Sequence, residues 1–72
     1  MAKLECESGN FETLWASDIN FDGIRLEVYD SKGQHWFNVS VPDVGIATVN
    51  TFSDEVPFDV VNAALGLASQ RP

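Results

Sequence analysis

One long alternation governs what this chain can fold into. Phe11, Thr13, Trp15, Ser17, Ile19 and Phe21 alternate with Glu12, Leu14, Ala16, Asp18 and Asn20. Ile24, Leu26 and Val28 then alternate with Arg25, Glu27 and Tyr29, and residues 35–41, His-Trp-Phe-Asn-Val-Ser-Val, do so again. A period of two sends successive side chains to opposite faces, which suits half-buried strands.

Two turn signals divide the alternation. Asp22-Gly23 has the residue types that accept positive φ at both centres of a tight hairpin. Ser31-Lys32-Gly33-Gln34 is the second turn. With Asp22-Gly23 as the loop, Phe21 pairs with Ile24, Ile19 with Leu26 and Ser17 with Val28. With Asp30 opposite His35, Val28 faces Phe37, Leu26 faces Val39 and Ile24 faces Val41. Both turns put the apolar residues on one face, and a one-residue slip in either would turn a strand's apolar set toward water. The expectation is a three-stranded antiparallel meander. Residues 45–52 are β-branched enough for a fourth strand but alternate less clearly.

The C-terminal stretch reads as a helix. Ser53 or Asp54 is placed to cap it, and Pro57 suits its first turn. Asp54, Glu55 and Asp59 put negative charge near the positive end of the helix dipole. Phe58, Val61 and Leu65 form an apolar stripe, widened by Val60, Ala64, Leu67 and Ala68. Gly66 reads as a close approach to a bulky sheet residue such as Trp15.

The fold class predicted is therefore α+β: a three- or four-stranded antiparallel β-meander with one C-terminal α-helix packed on one face, in two layers. The expected core is Phe11, Trp15, Ile19, Phe21, Ile24, Leu26, Val28, Phe37, Val39, Val41, Val60, Val61, Ala64 and Leu65. Residues 1–72 make a single domain, with 1–9 frayed, 11–52 in the sheet and 54–70 in the helix.

A core of this size rarely supplies more than about 3–5 kcal/mol without staples. The single cysteine, Cys6, allows no internal disulfide and favours a reducing compartment. No stretch approaches the ~20 apolar residues of a membrane span, and the N-terminus has no apolar run. A cytoplasmic location is expected. Self-association is one way to supply the missing burial, so a homodimer is admitted.

The net charge is −7, from 11 acids and 4 bases. That balance argues against direct contact with nucleic acid, whose phosphates need Lys and Arg, and against an anionic membrane. It suits a basic partner, a bound cation or solubility.

Three groups of residues are candidates for function. The first is the outer sheet face, where the register sets Tyr29 opposite Trp36, with Leu14 and Ala16 on the neighbouring strand and Arg25 at the edge. Exposed aromatics beside Leu and Arg have the composition of an interface anchor; a cross-strand aromatic pair is the structural alternative.

The second is Asp18-Ile19-Asn20-Phe21-Asp22-Gly23, which opens like a calcium loop, with oxygen ligands at alternate positions and Gly sixth. The remainder departs from that pattern, with Arg25 at the eighth position and Tyr29 at the twelfth. Asp18, Asn20, Asp22 and Glu27 are the candidate ligands, with Asp18 expected opposite Glu27. Calcium is the only cofactor the sequence puts forward. The third is His35, the sole histidine, expected across the turn from Asp30. No nucleophile is placed beside it, so no catalytic residue is assigned.

The expected function is a small non-enzymatic protein-binding module. It would act through the aromatic outer face or a strand edge, as an inhibitor, immunity-type partner or adaptor. The alternatives are an acidic mimic of nucleic acid that blocks a DNA-handling protein, and weak calcium binding through residues 18–23.

Overall fold

A computed structural model describes residues 2–18, 21–52 and 55–70. Five strands precede one helix: β1 Ala2–Cys6, β2 Gly9–Asp18, β3 Phe21–Asp30, β4 His35–Pro42, β5 Thr48–Thr51 and α1 Phe58–Ala68. The strands form a single antiparallel meander in the order β1-β2-β3-β4-β5. The α+β class and the helix on one face stand as predicted, while the sheet has five strands instead of three or four.

The extra strand is β1, in the segment expected to fray. Its sequence alternates like the others, with Ala2, Leu4 and Cys6 between Lys3, Glu5 and Glu7. Leu4 lies opposite Phe11, and both are buried. The turn between β1 and β2, Glu7-Ser8, lacks the usual hairpin residues and is held by the helix. Ser8 donates its N–H to Asp59 at 3.0 Å and its hydroxyl at 2.7 Å. A tertiary contact across 51 positions of sequence replaces the local turn signal.

The first hairpin adopts a different register from the one Asp22-Gly23 suggested. Phe11 pairs with Asp30, Thr13 with Val28, Trp15 with Leu26 and Ser17 with Ile24, and Asp18 pairs with Phe21 after an irregularity. Asp22 and Gly23 lie inside β3, with Gly23 opposite Pro42. The expected Ile19 falls outside the described residues, as does the side chain of Phe21. In the anticipated register Phe11 and Thr13 would overhang the second turn without strand partners. The observed one pairs β2 back to Phe11, satisfying more backbone groups. The slip is even, so each residue keeps its expected face.

The second hairpin keeps Val28 opposite Phe37, Leu26 opposite Val39 and Ile24 opposite Val41, as predicted. Its end differs. The Asp30 carbonyl accepts from Gly33 N–H, and Asp30 N–H donates to Gln34 O, both at 3.0 Å. Gly33 has φ +85°, the left-handed position this turn requires. The loop thus closes on Asp30 and Gln34, one residue earlier than on His35. Tyr29 then pairs with His35, and a bulge at Trp36 restores the apolar register downstream.

The helix-facing side of the sheet carries Leu4, Phe11, Leu26, Val28, Phe37 and Val39, packed with Val60, Ala64 and Ala68. Trp15, Val41 and Val61 are only partly buried against this core, and Ile24 is half-buried. The helix is rotated from its expected setting. Phe58 and Leu65 are exposed, and small residues at 64 and 68 face the sheet. Large side chains already fill the layer from below, so alanines let the two layers interdigitate without overpacking. A Cβ built on Gly66 meets nothing within 4 Å, so this glycine marks no close approach to Trp15. Pro57 is the N-cap, without a side-chain cap. The proposed caps Ser53 and Asp54 lie outside the described residues. α1 lies against β1, β3 and β4.

Candidate functional site

The face of the sheet away from the helix has no second layer among the described residues. Its aromatic members are not those expected. The bulge at Trp36 moves that side chain to the helix side. There it meets Phe11 edge-on at 4.9 Å between ring centroids and donates its indole N–H to Asp30 Oδ2 at 2.9 Å. The predicted Tyr29–Trp36 pair is therefore absent. Sequence reasoning assumed an even count of residues through the turn; the earlier closure and the bulge exchanged the faces of His35 and Trp36, His35 moving to the outer face opposite Tyr29.

A different aromatic row takes its place. His35 stacks on Tyr29 at 4.6 Å with 24° between planes, and Phe52 tilts against His35 at 4.7 Å. The row crosses β3 and β4 and ends beside β5, where Phe52 is 61% exposed. His35 Nε2 is buried and has no hydrogen-bond partner. The Tyr29 hydroxyl donates to Glu27 Oε1 at 2.9 Å. That bond, followed by burial and the Glu27 charge, pushes the phenol up from its ordinary value.

Leu14 lies opposite Glu27 and is 40% exposed. Arg25 lies between Ala16 and Ser40 and donates its Nε to Ser40 Oγ at 3.3 Å. Asn50 Nδ2 donates to Asn38 Oδ1 at 3.0 Å and to Ser40 Oγ at 3.2 Å. These side chains fasten β5 to β4. Of the expected patch, Leu14, Arg25 and Tyr29 share the outer face and Trp36 leaves it.

The proposed cation ligands are not assembled as expected. Glu27 faces Leu14 instead of Asp18, because the register moved, and its carboxylate holds Tyr29. Asn20 and the side chain of Asp18 lie outside the described residues, and Asp22 is exposed on β3. Among the described residues no three His, Cys, Asp or Glu side chains gather as a metal site. Nor does Asp30 face His35. Its carboxylate accepts from Lys32 N–H at 2.8 Å, Gln34 N–H at 2.9 Å and Trp36. The Gln34 N–H, then the Trp36 indole, hold this carboxyl below its ordinary value.

The sequence reading allowed for a strand edge without saying which, and β5 is an edge strand of the sheet. All four residues of β5 are exposed, and nothing among the described strands pairs with its outer side. Phe52 N–H donates to the Trp36 carbonyl at 2.9 Å. That bond sets the phase of the ladder, so Thr48 and Asn50 bond to β4, while the N–H and C=O of Val49 and Thr51 point outward. Val44, Ile46, Val49 and Phe52 are exposed around this edge, the first two at 91% and 87%. From Val44 to Phe52 there is no charged residue. The opposite edge, β1, carries Lys3 and Glu5, the kind of charge that discourages strand addition. The signal was present in the sequence as an uncharged, β-branched run in an acidic chain.

No helix among the described residues is long and apolar enough to cross a membrane. Comparison with protein-family models, with curated proteins and with solved structures gives no match.

Proposed function

We propose that this protein is a non-enzymatic protein-binding module that works by strand addition at β5. The observation that carries the reading is an edge strand with outward N–H and C=O groups, no charge, and exposed Val44, Ile46, Val49 and Phe52 beside it. Edge strands left without charge, proline or cover act as templates for another chain. The row ending in Phe52 adds an aromatic anchor of the type enriched at interface centres.

The test uses the direction of the Thr51 N–H. Proline is tolerated on an edge strand where its missing N–H would face solvent. Thr51→Pro should therefore keep the circular dichroism and melting profile of the native fold while losing the partner that wild type captures. Equal capture by both proteins overturns strand addition.

A further inference from the structure

We infer that the strand added at β5 is the β5 of a second copy of this chain, paired antiparallel about a two-fold axis at Asn50. This rests on the strand-addition reading above and names the partner. The outward N–H and C=O groups belong to Val49 and Thr51, which stand on either side of Asn50. A two-fold axis at Asn50 sets Val49 of each copy opposite Thr51 of the other, and all of these groups are then satisfied at once. Such an interface is isologous, one patch meeting its own copy. Val49 and Thr51 lie on the helix side, opposite Val39 and Phe37, where α1 packs on β1, β3 and β4 but not on β5. On the outer face the pairing sets Phe52 of each copy beside Thr48 of the other, and the row from Tyr29 through His35 to Phe52 gains a neighbour at its exposed end.

Two observations favour a second copy over other occupants. The first is where the charge of the sheet lies. Every Asp, Glu, Lys and Arg of the five strands is on β1, β2 or β3, and β4 and β5 have none. Asp43, between β4 and β5, donates its N–H to the Asp22 carbonyl at 2.9 Å and so sits at the end of the β3–β4 ladder. Two bodies of net charge −7 repel where charged strands meet. Joined through β5, their β3 strands are five strand spacings apart, about 24 Å, against a screening length of about 8 Å at physiological ionic strength. The uncharged edge is therefore the part of the sheet through which like-charged copies can join, whereas a basic partner finds its attraction on β1 to β3. The second observation is the length of β5. Four residues offer few hydrogen bonds. Ordering a flexible peptide would consume that gain, while a second copy presents its strand already ordered. Residues 44–52 are all exposed, a contact smaller than the about 20–30 residues a side of a standard interface, so the dimer is reversible and depends on concentration.

Light scattering on the full chain, from micromolar to millimolar concentration and at low and high salt, tests this. Wild type should pass from monomer to dimer as concentration rises, and salt should strengthen the dimer by screening the repulsion between like-charged copies. In the dimer the amides of Val49 and Thr51 should exchange with deuterium at least about tenfold more slowly than in the monomer, with the amides of β1 unchanged. Thr51→Pro and, independently, Val49→Lys should stay monomeric with the circular dichroism of the native fold. A wild type that remains monomeric at millimolar concentration in high salt overturns the second copy. Strand addition then stands with another occupant if Thr51→Pro loses a captured partner, and falls as well if capture is equal. A dimer that salt weakens is held by charge and overturns the inference. So does a wild-type dimer whose Val49 and Thr51 amides exchange as fast as in the monomer, a readout that needs no variant. A dimer that persists in folded Thr51→Pro and Val49→Lys also overturns it and moves the contact to another surface, such as the exposed Phe58 of α1.

Discussion

The indole N–H of Trp36 donates to the carboxylate of Asp30 at 2.9 Å, across the β3–β4 turn and on the helix side of the sheet. This bond and the edge contact with Phe11 hold the bulged Trp36 against the core. Trp36→Ala should lower unfolding free energy in urea by about 2–4 kcal/mol, the range for removing a large, partly buried aromatic. Set against the few kcal/mol of a domain this small, that leaves a measurable unfolded fraction. Trp36→Phe, which keeps the ring contact and loses the donor, should fall between. An unchanged midpoint for Trp36→Ala would place the residue on the open face after all.

His35 presents the opposite case. Its ring stacks between Tyr29 and Phe52, yet its buried Nε2 has no partner. His35→Phe keeps an aromatic ring in the row and removes the orphaned atom, so stability should rise by about 1 kcal/mol. A loss on denaturant titration would mean that the nitrogen is satisfied in solution.

The rotation of α1 makes a paired prediction. Ala64 is fully buried, so Ala64→Leu should cost about 1–3 kcal/mol by overpacking. Leu65 is 41% exposed, and Leu65→Gln should cost less than about 1 kcal/mol. Gly66→Ala adds a methyl group into open space and should stabilise by about 1 kcal/mol. The reverse ranking of Ala64 and Leu65 in thermal melts would restore the helix face expected from its bulkiest residues.

Stability should fall at both ends of the pH scale, for different residues. Asp30 is depressed by the N–H groups of Gln34, Trp36 and Lys32, and Asp59 by the hydroxyl and N–H of Ser8. A depressed carboxyl contributes fully above its ordinary value and loses that contribution as pH falls through the folded value. Tyr29 is raised by its bond to Glu27, and Cys6 by burial and then by the Asp59 charge. A raised group contributes below its unfolded value and loses that contribution as pH climbs through the folded one. Melting temperature measured against pH should therefore drop on the acid side less steeply in Asp30→Asn than in wild type. On the alkaline side Tyr29→Phe should flatten the fall. Parallel curves for variant and wild type would remove these residues from the account.

Much of the fold is local in origin. The alternation in β2, β3 and β4 determined which side chains face the helix, because a pleated strand has no other way to separate apolar from polar. Ala2, Leu4 and Cys6 carried the same signal for β1, obscured by a turn whose stabilising partner, Asp59, is on the helix. The apolar content of residues 58–68 likewise determined that a helix would form there. Counting across the second turn gave the pairing of Val28 with Phe37 and of Leu26 with Val39, but tertiary structure decided the register of the first hairpin and the facing of His35 and Trp36. Slips of an even number leave the alternation intact, so only the total length of paired backbone selected Phe11 opposite Asp30. A glycine in the left-handed region closed the second hairpin one residue early, and the compensating bulge carried Trp36 from one face to the other. The helix face was settled by what the sheet already contained, since Phe37, Leu26 and Val28 leave room for alanine and not for leucine. The candidate site follows the same division: its lack of charge is written in residues 44–52, while its standing as an open edge exists only because β5 is the last strand of the sheet.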